Sequence, residues 1–139
     1  IIGIDYDEDK IVIASNGYDK TDMLSFEVND ARDTNLKNAD VIFFNDVLHY
    51  LKREEQFELL ERAVSALNEN GILFIRDGIT DDSQRHAVTQ KTERYSKTTN
   101  QLSFFSSQDI FKFAEQHKLK CQIVEQSKKT SNVLFIIEK

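Results

Sequence analysis

Before residue 78 the chain contains four short apolar runs, and each stops on an acid: I-I-G-I-D at residues 1–5, L-S-F-E-V-N-D at 24–30, A-D-V-I-F-F-N-D at 39–46 and I-L-F-I-R-D at 72–77. Runs of this length are strands rather than helices, and the second one alternates apolar with polar residues. The third is continuously apolar after Asp40, as expected of a strand covered on both faces. Helical patterns lie between them. Asp7, Glu8 and Asp9 lead into Ile11, Val12 and Ala14 before Asn16-Gly17, which reads as N-cap, helix and C-cap. Over residues 54–67, Phe57, Leu60, Ala63, Val64 and Leu67 recur at helical spacing, with acids in the first turn and Asn70-Gly71 as the stop. Alternating strands and helices imply a mostly parallel sheet with helices on both faces, and ligands bind such sheets outside the carboxyl ends of the strands. The residues on that edge are Asp5, Asp30, Asn45, Asp46, Arg76 and Asp77.

The remainder closes the same domain. Residues 79–101 are polar with few core candidates, which predicts a solvated helix or a cover over a site. Ser106 and Asp109 form a capping box before Ile110, Phe113 and Ala114, and apolar runs at 121–125 and 133–137 flank a polar turn, predicting a terminal hairpin. A length of 139 residues suits one domain. The net charge of −6 argues against nucleic acid as the main partner, because sequence-independent affinity for phosphates comes from clustered Lys and Arg. No apolar run approaches the roughly 20 residues of a spanning helix, and no signal peptide is visible, so a cytoplasmic setting without direct membrane insertion is expected. The single Cys121 excludes an internal disulfide and reads as a buried, inert thiol. Three scattered His and one Cys give no metal-ligand spacing.

Each candidate has two readings. Asp5 is placed either to accept from both hydroxyls of a ribose or to cap the turn that follows. Asp30 suits an adenine amino group or is one more acid ending a strand. His49 in V-L-H-Y-L is a general base near neutral pH or a residue packed beneath the substrate mouth. Arg76 and Asp77 either meet a substrate or pair with each other. Tyr50 and Tyr95 line an aromatic pocket or belong to the core, and His86 reads as solvated.

The succession I-G-I-D-Y-D, F-E-V-N-D-A, A-D-V-I-F-F-N-D-V-L-H-Y-L and G-I-L-F-I-R-D-G resembles the class I S-adenosylmethionine-dependent methyltransferase family from its second strand through its fifth. The resemblance implies a Rossmann-like α/β fold with a C-terminal antiparallel hairpin, S-adenosylmethionine as cofactor, and a small-molecule acceptor such as a hydroxyl-bearing, aromatic or lipid-like metabolite. It implies Asp5 with Tyr6 at the ribose, Asp30 and Ala31 at the adenine edge, and Asn45 and Asp46 at the methionyl end. Tyr50, Arg76 and Asp77 would face the acceptor, with His49 as base. The pieces R-D-G, R-H, F-F-S and T-S-N-V further resemble methyltransferase domains attached to bacterial acyltransferase and exporter proteins of aryl-polyene pathways. The family's first strand and glycine-rich loop have no counterpart here, and are expected upstream in the same polypeptide. Without them, residues 1–4 should close on residues 41–44, or a second copy should supply the pairing as a homodimer, and this piece alone should bind cofactor poorly. A nicotinamide-dependent oxidoreductase fragment and a non-catalytic interaction module are the alternatives.

Overall fold

Strand β1 (Ile2–Asp5) passes into helix α1 (Glu8–Gly17) through a turn built by its own acids. The Asp5 carboxylate accepts from the Asp7 amide at 2.9 Å, and Asp7 in turn accepts from the Asp9 amide at 3.0 Å. Acids therefore satisfy amides that a helix start leaves without partners. Strand β2 (Ser25–Val28) runs parallel to β1, with Ile2 opposite Ser25 and Asp5 opposite Val28. Gly3 lets the Phe26 ring pack close over the strand, since a Cβ there would lie 2.6 Å from that ring.

The structure is a computed structural model that describes all residues except 18–20, 81–83, 95–101 and 126–127. The chain divides into two compact units, Ile1–Asn35 and Leu36–Lys139. The first holds the β1–β2 pair with α1. The second is built on a four-stranded sheet in the order β3-β4-β6-β5, from β3 (Ala39–Asn45), β4 (Leu67–Gly78), β5 (Lys120–Glu125) and β6 (Asn132–Glu138). β3 and β4 are parallel; β6 is antiparallel to both β4 and β5 and lies between them. The fold is thus mixed α/β, with parallel pairs early in the chain and the expected antiparallel hairpin at its end.

Helices α2 (Arg53–Ala66), α3 (Gln84–Arg94) and α4 (Ser107–Gln116) complete the second unit. Its core unites Ile42 and Phe44 of β3, Leu73 and Ile75 of β4, and Phe135 and Ile137 of β6 with Leu59, Leu60 and Ala63 of α2 and Ile110, Phe113 and Ala114 of α4, all buried. The alternate β3 residues Val41 and Phe43 are each 56% exposed, which corrects the reading of that strand as covered on both faces. Continuous apolarity identifies a strand but does not say how many of its faces are packed. Helix α2 also stops at Ala66, before the anticipated Asn70-Gly71. The Lys139 ammonium donates to the carbonyls of Val64 and Leu67 at 3.0 and 2.6 Å, a cation at the negative end of the helix supplied from the far end of the sequence. The α4 capping box forms as expected, and Arg53 adds an ion pair to Asp109 at 2.6 Å. Cys121 is half-buried, and loss of solvent pushes its thiol up to about 11, well away from a reactive thiolate.

Candidate functional site

In the second unit the carboxyl ends of β3 and β4 carry a cluster of charged side chains. β3 ends at Asn45, and Asp46 takes a left-handed backbone (φ 53°), a conformation that Asp and Asn tolerate better than most residues. The Asp46 amide still donates to the Arg76 carbonyl at 2.8 Å, so the turn away from the sheet happens without losing the ladder's last bond. The chain then makes one 3₁₀ turn, Leu48–Tyr50, which presents His49 and Tyr50 to the end of β4.

Neighbouring residues on a strand point to opposite faces, and Arg76 and Asp77 show the consequence. Arg76 reaches Asn45 at 3.3 Å and forms an ion pair with Asp46. Asp77 turns to the other side and is wholly buried. It accepts from the main-chain amides of Leu48 at 2.9 Å and Gly78 at 2.7 Å, and its Oδ1 lies 2.5 Å from His49 Nδ1. The anticipated Arg76–Asp77 pair is therefore replaced by Arg76–Asp46 and His49–Asp77. The Asp77 oxygens are engaged by the 3₁₀ turn and the Gly78 amide, and the side chain is buried.

The His49 ring is 1% exposed. It lies against Tyr50, with centroids 4.0 Å apart, and stacks on Phe104 at 5.4 Å and 12°. Its Nε2 approaches Oε2 of Glu93 on α3 at 3.4 Å, close enough for an ion pair though not aligned as a hydrogen bond. Tyr50 donates its hydroxyl to that same oxygen at 2.7 Å. In this arrangement a substrate hydroxyl could reach Nε2 only after Glu93 moved aside. Burial by itself would lower the imidazole pKa. The hydrogen bond and charge of Asp77 outweigh it, with Glu93 and Asp46 adding to the same sign, and the pKa is raised. Asp46 is raised too, because desolvation and the neighbouring Asp77 charge exceed what Arg76 and His49 return.

Secondary contacts hold this cluster. Gln56 is fully buried and donates to the carbonyls of Leu48 at 2.9 Å and Ser103 at 2.6 Å, while the Ser103 amide donates to the His49 carbonyl at 2.8 Å. Helix α3 docks through Thr89, whose Oγ1 accepts from the Ser131 amide at 2.9 Å. Gly78 permits that approach, since a Cβ there would sit 2.9 Å from Thr89 Cγ2 and 3.1 Å from Phe104 Cε1.

The structure thus brings Asn45, Asp46, His49, Tyr50, Arg76 and Asp77 together. In the first unit, Asp5 makes the turn contact already described and its second oxygen lies 3.5 Å from Lys10. Tyr6 is half-exposed. Asp30 is engaged by Arg32 through Nε at 3.0 Å and Nη2 at 2.7 Å, and that side-chain hydrogen bonding holds its carboxyl below the ordinary range despite partial burial. Ala31 follows in a turn. His86, anticipated as solvated, is partly buried edge-on to Phe104 with Nε2 2.9 Å from Gln90. Tyr95 lies outside the described residues. Glu93, Gln56 and Phe104 had no place in the sequence reading. One signal for Glu93 was available: His86, Thr89, Gln90 and Glu93 recur at three- and four-residue intervals, a polar stripe down one face of α3. Among the described residues no group of His, Cys, Asp or Glu could hold a metal ion, and no helix is long and apolar enough to cross a membrane.

The sequence family described as methyltransferase domain matches residues 1–132. Among curated proteins, the carboxy-S-adenosyl-L-methionine synthase of Actinobacillus pleuropneumoniae serotype 5b (strain L20) is 30% identical over 87 residues, covering 60% of this chain and 36% of that protein. The chain spans about a third of the length of the curated relatives it matches. Among solved structures, the N-methyltransferase NodS from Bradyrhizobium japonicum WM9 in complex with S-adenosyl-L-homocysteine superposes with a TM-score of 0.70 at 17% identity, covering 99% of this chain and 65% of that one. A pericyclic reaction enzyme superposes at 0.74 with 13% identity, over 99% of this chain and 36% of that one. Likeness at these identities establishes the Rossmann-like fold, and the second neighbour, a pericyclic reaction enzyme, carries out a different reaction on it.

Proposed function

Since the chain belongs to the methyltransferase-domain family, matched over residues 1–132, we propose that it serves S-adenosylmethionine-dependent methyl transfer to a small-molecule acceptor within its complete polypeptide. The observation that carries this reading is the family match across nearly the whole chain. S-adenosylmethionine supplies a methyl group already activated on a sulfonium, so the protein's task is to align the acceptor and to take up a proton where one is released. Asp5 fits the cofactor's ribose: one carboxylate oxygen is used by the turn, and among the described residues the other meets Lys10 at 3.5 Å, leaving room to accept from a hydroxyl. Tyr6 is beside it. Asp30 fits an adenine amino group less well, because Arg32 already holds both of its oxygens. Asn45 and Asp46 are proposed for the cofactor's methionyl end, with Tyr50 and Arg76 at the acceptor. Asp77 orients His49 by fixing its Nδ1, as the acid of a catalytic dyad does, and this leaves Nε2 as the nitrogen that would take an acceptor's proton.

Calorimetry on the complete polypeptide tests the reading. S-adenosylhomocysteine should bind and NAD should not, and Asp5→Ala should weaken the former by about 1.5–3 kcal/mol, the loss expected for charge-assisted hydrogen bonds. Binding of NAD alone would establish the oxidoreductase alternative, and binding of neither would establish the interaction module. The likeness to a carboxy-S-adenosyl-L-methionine synthase supports a second reading, in which the cofactor itself is modified. Mass spectrometry of turnover mixtures separates the two, since methyl transfer releases S-adenosylhomocysteine whereas modification yields a heavier S-adenosylmethionine.

A further inference from the structure

His49 Nε2 and the Tyr50 hydroxyl converge on a single atom, Glu93 Oε2, at 3.4 and 2.7 Å. A hydroxyl donor and an imidazole nitrogen from one 3₁₀ turn, both close to one carboxylate oxygen, form a cradle for an acidic oxygen, and here the tenant is an acid from α3. The cradle is rigid on its inner side. Asp77 and the main-chain bonds of the turn fix the His49 ring, and Phe104 backs it. Its tenant stands on the polar segment read in the sequence as a cover, and the Glu93 side chain keeps 18% of its surface exposed while the ring beneath keeps 1%. Among the described residues, the charged groups that act on His49 are carboxylates: Asp77 from β4, Glu93 from α3 and Asp46 from the end of β3, the last also paired with Arg76. That surrounding negative charge raises the ring's pKa and so favours the form in which Nε2 carries a proton to donate.

We propose that the His49–Tyr50 pair is an oxyanion subsite which Glu93 plugs in the closed position of α3, and that an acidic oxygen of the acceptor, carboxylate or phenolate, takes the place of Glu93 when α3 lifts. Glu93 is then a positioning residue that excludes water and neutral molecules until a competing anion arrives. The proposal rests on the methyl-transfer reading only in calling the occupant an acceptor. Its test uses no S-adenosylmethionine, so failure here and failure of cofactor binding are separate outcomes.

The test is a titration of the complete polypeptide with benzoate, followed through the His49 imidazole resonances by NMR, with benzamide as the neutral isostere. In the unaltered protein Glu93 competes as a tethered acid at millimolar effective concentration or above. Glu93→Ala should therefore bring half-saturation by benzoate to at least ~10-fold lower concentration, with no saturable response to benzamide. Adding Tyr50→Phe to Glu93→Ala should weaken benzoate several-fold by removing one of the two donors. If Glu93→Ala loses its dispersed spectrum, Glu93→Gln, which keeps the side chain's volume, is titrated instead and should show the same preference for benzoate. Equal responses to benzoate and benzamide, no saturable shift in the substituted protein that folds, or a Tyr50→Phe change without effect would each overturn the subsite.

Discussion

Replacing Asp77 should be the most damaging single substitution in the second unit. Its side chain is fully buried and serves four donors: the Leu48 amide at 2.9 Å, the Gly78 amide at 2.7 Å, the His49 amide at 3.4 Å and His49 Nδ1 at 2.5 Å. Asp77→Ala leaves all four without that acceptor in a place water does not reach. Each abandoned main-chain amide costs about 1–3 kcal/mol, and removing one member of a buried charged pair costs about 3–5 kcal/mol in measured cases. These terms overlap because the ring can shed its proton, so the expected loss is about 3–5 kcal/mol rather than their sum. Urea unfolding of the complete polypeptide followed by circular dichroism reads it as a lower midpoint. Asp77→Asn keeps one oxygen for an amide and should lose less, while moving the His49 titration downward. The linkage has a definite sign. A histidine whose folded pKa lies above its unfolded value contributes stability that is full below about pH 6.5 and is lost as pH rises through the raised value. The unaltered protein should therefore lose stability on going alkaline from about pH 6.5, and Asp77→Asn should flatten that slope. A cost for Asp77→Ala below about 1 kcal/mol would refute the reasoning, since only a hydrated carboxylate is so cheaply removed.

The other predictions concern the acid side of the pH range, the approach of α3 and the ring of His49. Asp109 is held at about 2 by Ser106 and Arg53 against partial burial, so it stabilises the fold above its unfolded pKa, and that contribution is lost as pH falls through about 2. With its side chain 30% exposed, solvent screening discounts the value to about 1–2 kcal/mol, and Asp109→Asn should remove that acid dependence in pH-resolved urea titrations. Gly78→Ala should force Thr89 and Phe104 outward from contacts of 2.9 and 3.1 Å, costing about 1–3 kcal/mol. Faster amide exchange in α3, with α4 unchanged, is the expected pattern; uniform loss would mean that Gly78 supports the whole sheet instead. If His49 takes the acceptor's proton, His49→Gln should lower turnover by about 10²–10⁴ with cofactor affinity intact, and turnover within a few-fold of the parent would leave His49 as packing.

The elements were legible because each has a local cause. The α4 start is written in Ser106 and Asp109, the strand at 133–137 in five consecutive apolar residues, and the α1 start in Asp7, whose carboxylate reaches amides two and three residues on. The cluster of candidate residues at the ends of β3 and β4 was legible for a related reason. Once both runs are parallel strands, Asn45 and Arg76 fall opposite each other in register, as the ladder shows.

What the side chains do there was not legible. Arg76 and Asp77 are adjacent in sequence and invite pairing, but the pleat separates them, and each finds a partner about thirty residues away. Glu93 sits in a segment whose polarity reads as solvation, and Lys139 ends α2 from 72 residues beyond Leu67. Residue order and periodicity thus determined the α/β class, the order of its elements and the site-bearing ends of its strands, because propensity, capping and burial period act over a few neighbours. Only the tertiary structure decided which acids are spent on the fold, which nitrogen of His49 is left facing outward and what covers it. Those outcomes depend on contacts across the sheet and on the local loss of water, and a linear pattern carries neither.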